Sequence, residues 1–95
     1  MPPTPLTAEQ RAALATAHPD WSATGEALQR TLVFADFAEA MGFVNRVALI
    51  AQALDHHPDI DIRWNQVTLH LTTHSVGALT DFDLALVQRI DAFLG

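Results

Sequence analysis

His56 and His57 stand side by side between Asp55 and Pro58, and His74 follows in the run Thr72-Thr73-His74-Ser75. Imidazole gives and takes protons near neutrality, so three histidines in two short segments of one small chain suit an acid–base site. Asp55 and Asp59 flank the pair and favour its charged form. A metal site is the competing chemistry. His70 shares a strand face with His74, but four residues along a strand separate them too far to chelate one ion easily, and a catalytic zinc usually takes three protein ligands. No metal is expected.

The elements that must position these groups are legible in the patterning. Pro58 disfavours helical geometry at His57, so a helix opening at the N-cap Asp36 should end around Asp55 or His56. That end places the histidine pair beside unpaired carbonyls, which also favour imidazolium. Within the helix, Phe37, Met41, Val44, Ala48 and Ala51 form one apolar stripe, and Phe43, Val47, Ile50 and Leu54 a second. A helix facing one sheet needs a single stripe of about 100°. The extra width predicts a second contact, such as another subunit.

Ile60–Trp64 and Val67–His74 read as a hairpin across Asn65-Gln66. In its second strand Val67, Leu69, Leu71 and Thr73 point one way and Thr68, His70, Thr72 and His74 the other. Upstream, Trp21–Ala23 and Leu28–Phe34 suggest another hairpin around Thr24-Gly25-Glu26. Two further helices are signalled by capping boxes: Thr7 with Gln10, running to about Ala17 before His18-Pro19, and Thr80 with Asp83, with Leu79 and Leu84 as a hydrophobic staple. The predicted class is α+β, in the order α-β-β-α-β-β-α, with the helices covering one face of a four-stranded antiparallel sheet. Residues 1–6, rich in proline, are expected to be a flexible lead to a single domain over residues 7–95. Trp21 and Trp64 are read as packing residues, His18 as a solvated loop residue, and Asp36 and Glu39 as caps.

Composition excludes several functions. The 95 residues carry a formal charge of −6 with no lysine, so the basic footprint of a nucleic-acid binder is missing, and an anionic membrane surface would repel the chain. With no cysteine there is no disulfide, thiolate nucleophile or zinc–thiolate site. The start, Met1-Pro2-Pro3-Thr4-Pro5, is unlike a signal peptide, and the apolar stretches read as shorter than a bilayer span. The expected location is the cytoplasm. A core this small would gain from oligomerisation.

Asp55-His56-His57-Pro58, Trp64, Thr72-Thr73-His74, Gly77, Leu79 and Asp83 together resemble the signature of the pterin-4a-carbinolamine dehydratases. The resemblance extends upstream through Trp21, Phe34, Asp36-Phe37 and Gly42–Ala48, so it covers nearly all of the chain beyond the lead. It implies dehydration of 4a-hydroxytetrahydrobiopterin to the quinonoid dihydropterin, a step in tetrahydrobiopterin recycling, without cofactor or metal. By similarity His56, His57 and His74 are the catalytic set, with His56 and His74 as the acid–base pair and His57 mainly orienting the pterin. Substrate contacts would fall on Asp55, His56, His57, Thr72, Thr73, His74 and Ser75, and Asp83 would orient an imidazole from behind. A homodimer or homotetramer is implied. Two positions depart from the pattern: Gln52, where the family often has Glu, and Ile60, where better-known members have an aromatic residue. Gln can hydrogen-bond a pterin but cannot take a proton. The alternative function is a non-catalytic dimerisation or interaction protein on the same fold.

Overall fold

The computed structural model describes residues 2–95. Its elements run α1 (Ala8–Ala17), β1 (Ser22–Thr24), β2 (Ala27–Val33), α2 (Phe37–Leu54), β3 (Asp59–Arg63), β4 (Gln66–Leu71) and α3 (Asp81–Leu94), the predicted α+β order. Each helix starts where the caps require. Thr7 and Gln10 exchange side-chain-to-backbone bonds, the Glu39 amide donates to Asp36, and Thr80 and Asp83 close a third cap.

All strand pairs are antiparallel, in the spatial order β1-β2-β4-β3. The register aligns Leu28 with Leu71, Leu32 with Val67, and Ile60 and Ile62 with Leu69 and Val67, so these residues share one face. Leu28, Val67, Leu69 and Leu71 are buried there with Ala40, Phe43 and Val47 of α2 and Leu86, Val87 and Ile90 of α3. Each large aliphatic side chain so buried contributes roughly 1.5–3 kcal/mol. The other face carries Gln29, Thr31, Thr68, His70 and Asp61 and is largely open. Helix α2 has 18 residues and is apolar enough to reach the margin of a membrane span, more than the patterning suggested. One stripe of it (Ala40, Phe43, Val47, Ala51) is nevertheless buried as a core helix would be, while Leu49 and Phe37 lie open on other sides at 73% and 50% exposure.

The structure corrects several expectations. Strand β4 stops at Leu71 because Thr73 turns away to bridge Ala78, closing a tight loop in which Gly77 has φ 64°. His74 therefore begins a loop and does not end a strand. The second hairpin turns at Trp64-Asn65, one residue earlier than expected, since Arg63 pairs directly with Gln66. Asn65 is pinned there by two bonds to Phe34, its side chain donating to the Phe34 carbonyl and its own carbonyl accepting the Phe34 amide. Trp64 consequently sits in the turn with φ 51°, largely exposed, and is not a packing residue. Trp21 is buried as expected. His18 is not a solvated loop residue: its Nδ1 lies 2.6 Å from Asp91 Oδ2 in a half-buried cluster. The second half of the lead is also tied down, with the Leu6 amide donating to the Leu79 carbonyl and Leu6 itself buried.

Candidate active site

Helix α2 ends on Asp55, which adopts the left-handed conformation (φ 52°, ψ 41°). The amide of His56 then donates to the Ala51 carbonyl and that of Asp55 to the Gln52 carbonyl, a Schellman closure that satisfies orphan carbonyls and reverses the chain. This reversal carries His56 back under the molecule toward α3. A non-glycine residue there is uncommon, although Asp tolerates it better than most. Asp55→Gly should therefore leave the fold intact or stabilise it by up to ~1 kcal/mol in denaturant unfolding. If Asp55 serves a ligand, the same variant loses affinity while gaining stability.

Opposite this reversal, the start of α3 supplies Asp83, fully buried. Its Oδ1 lies 2.6 Å from His56 Nε2, and its Oδ2 accepts the Thr80 amide at 2.9 Å and the Thr73 hydroxyl at 2.8 Å. Because a carboxylate only accepts, the Thr73 proton goes to Asp83, and the Thr80 hydroxyl must donate to Thr73 Oγ1 across 2.7 Å. A buried carboxylate is tolerated when donors surround it in this way. The arrangement also sets the histidine tautomer: Nε2 carries the proton to Asp83, and Nδ1 is left free to accept from a bound molecule. Phe82 stands edge-on to the His56 ring at 5.7 Å between centroids.

An open cleft of about 280 Å³ is lined by Asp55, His56, His57, Thr72, Thr73, His74, Ser75, Phe82 and Pro3. The fold thus brings together every predicted catalytic histidine and every predicted substrate contact. His57 Nε2 reaches Gln52 Oε1 through a long contact of 3.4 Å. His74 is 78% exposed, with Asp59 Oδ2 4.0 Å away. The two threonines differ from the expectation in one respect. The Thr73 hydroxyl is spent on Asp83, and the Thr72 hydroxyl donates to the Glu26 carbonyl at 2.6 Å. Thr73 thereby helps to hold the Asp83 carboxylate in place. Glu26 is in turn held by Arg11 at 2.6 Å, whose hydrogen bond lowers the Glu26 carboxyl below its ordinary range. That contribution is present at neutral pH and fades as pH falls through the lowered value.

Two site residues escaped the sequence reading: Pro3, assigned to a flexible lead, and Phe82, for which nothing in the sequence distinguishes a lining residue from a packing one. A larger concavity of about 480 Å³ lies near His18, Asp20, Arg30 and Asp91. Its charged groups, His18, Asp20, Arg30 and Asp91, are paired with one another. Among the described residues no three of His, Asp and Glu are placed to hold a metal ion.

The fold is thus an antiparallel α+β arrangement in which a carboxylate-backed imidazole and two more imidazoles line one cleft. The family model for pterin 4 alpha carbinolamine dehydratase matches residues 4–93, and the chain belongs to that family. A relative from Thermomicrobium roseum, provisionally named a pterin-4-alpha-carbinolamine dehydratase, is 54% identical over 72 residues, covering 76% of this chain and 77% of its own. The crystal structure of a transcriptional coactivator/pterin dehydratase from Brucella melitensis superposes with a TM-score of 0.89 at 33% identity, covering 97% of this chain and all of that one. A pterin dehydratase-like protein described as a RuBisCO assembly factor of the alpha-carboxysome shares the fold, with a TM-score of 0.67 at 23% identity over 82% of this chain and 93% of that one.

Proposed function

We propose that this protein is a 4a-hydroxytetrahydrobiopterin dehydratase that works by histidine acid–base catalysis in the cytoplasm, serving tetrahydrobiopterin recycling. The observation that carries the proposal is the His56–Asp83 contact of 2.6 Å on a cleft that also holds His57 and His74. Elimination of water across N5–C4a requires a base for the N5 proton and an acid for the departing 4a-hydroxyl. His56, with Nε2–H fixed on Asp83, offers the Nδ1 lone pair as the base. His74 is the acid: it delivers a proton to the hydroxyl, which leaves as water as the N5–C4a double bond forms. Its exposure allows the proton to be replaced from solvent, and His56 releases the one it took, so the protein returns to its starting state. His57, steadied by Gln52, orients the pterin with Asp55 and the main chain of residues 72–75.

The test generates 4a-hydroxypterin in situ and follows the loss of its absorbance. Wild-type protein should accelerate dehydration over the spontaneous rate, and His56→Ala and His74→Ala should each lower kcat by about 10²–10⁴. No acceleration by wild type would sink the enzyme reading in favour of the non-catalytic interaction protein. A rate that survives both substitutions would instead overturn the roles assigned to them. The exposed Leu49 and Phe37 of α2 favour a homodimer or homotetramer, which sedimentation would establish.

A further inference from the structure

We propose that the segment Pro3–Leu6 is a fixed strap and that the Pro3 ring forms an apolar wall of the pterin site. The inference rests on the proposed function and extends it to a residue that determines how tightly the substrate is held.

The strap is ordered by a pattern visible in its residue types. Prolines at positions 2, 3 and 5 have no amide proton and a restricted φ, so little entropy is lost in ordering them and no donor is left unmet over the cleft. The two residues between and after them, Thr4 and Leu6, both spend their amides on the α3 approach. The Thr4 amide donates to Asp81 Oδ1 at 2.8 Å and the Leu6 amide to the Leu79 carbonyl at 2.9 Å. The Asp81 amide returns a bond to the Thr4 carbonyl at 3.0 Å, so Thr4 is gripped from both sides, immediately beside Pro3. Pro5 and Thr80 complete an antiparallel bridge. The strap is thus anchored to the same turn, Thr80–Asp83, that holds the His56 partner.

What the strap brings is what the cleft otherwise lacks. Small-molecule sites are mostly apolar with a few placed polar groups. This one is lined by acid, imidazole and hydroxyl side chains, and its apolar lining side chains are those of Pro3 and Phe82. A planar bicyclic ring needs apolar contact on its flat surface as well as hydrogen bonds at its edge. Phe82 also meets the His56 ring in a T-shaped contact, and Pro3 supplies the second apolar surface of the lining.

Two substitutions separate the ring from its anchor. Pro3→Ala removes the wall and keeps the anchoring bonds; Asp81→Ala keeps the wall and removes the side-chain bond to the Thr4 amide, leaving the strap on its main-chain bonds alone. Each should weaken binding of 7,8-dihydrobiopterin, followed by titration calorimetry, and raise KM by about fivefold, which corresponds to the loss of one modest apolar contact. In both, kcat should fall by less than twofold, a split that general loss of folded protein does not produce. Asp81→Asn retains an oxygen for the Thr4 amide and should restore wild-type binding. Wild-type Kd in both alanine variants, or a fall in kcat at unchanged Kd, would overturn the wall while leaving the enzyme reading intact. A wild-type protein that neither binds dihydrobiopterin nor accelerates dehydration would remove the proposed function, and the wall with it.

Discussion

Asp83→Asn is expected to fold nearly as well as wild type and to lose turnover by about a hundred- to ten-thousandfold. The reason is the direction of three hydrogen bonds. Two donors, the Thr80 amide and the Thr73 hydroxyl, face one carboxylate oxygen, and His56 faces the other. An asparagine must present its single oxygen to the two donors, because turning it the other way would set its amide against both. Its NH₂ then points at His56 Nε2, which must become an acceptor, and the ring proton moves to Nδ1. The nitrogen offered to the cleft has changed from base to donor. Stability within about 2 kcal/mol of wild type, together with collapsed kcat, would confirm the tautomer argument. Wild-type turnover would show that His56 does not act through Nδ1. Asp83→Ala is the contrast: it strands all three donors and should cost about 3 kcal/mol in addition to activity.

Asp91→Ala should do the opposite, unsettling the fold while sparing the chemistry. Asp91 accepts His18 Nδ1 at 2.6 Å, Trp21 Nε1 at 2.9 Å and Arg30 Nη1 at 2.9 Å, and so ties α3 to the end of α1, the entry to β1 and the middle of β2. All four of these residues are largely removed from solvent. Removing the carboxylate leaves Trp21 without a partner and Arg30 with only the 3.4 Å contact to Asp20. The expected loss is about 2–3 kcal/mol, or ~10–20 °C in Tm for a domain of this size. Equilibrium denaturation would measure it. Below the new transition, kcat and KM should match wild type, because none of these residues lines the histidine cleft. The molecule thus holds two imidazole–carboxylate pairs with the same 2.6 Å separation and different duties, His56–Asp83 on the cleft and His18–Asp91 in the frame.

Much of this was legible from local rules. Caps at Thr7, Asp36 and Thr80 set the helix starts because a helix end must satisfy its own amides from nearby side chains. Alternation along Val67–Leu71 set the buried face because pleating sends successive side chains to opposite sides. The spaced set from Asp55 to Asp83 pointed to the family and to the histidines, and the fold gathers these histidines on one cleft.

The less legible features depended on partners distant in the chain. Nothing near His18 announces Asp91, 73 positions away, and nothing near Pro3 announces the grip of Asp81 on Thr4, 77 positions from its partner. Trp64 reads as core by its type, yet the bonds between Asn65 and Phe34 hold it in an exposed turn. Nothing near Thr73 announces that its hydroxyl is shared between Asp83 and Thr80. By itself the sequence determined the order of elements and the buried faces, because short-range geometry governs both, and its resemblance to the family pointed to the histidines. Tertiary structure alone decided which nitrogen of His56 meets Asp83, which hydroxyls are engaged and which residues line the cleft, because each depends on a hydrogen bond or contact between segments that meet only when the chain folds.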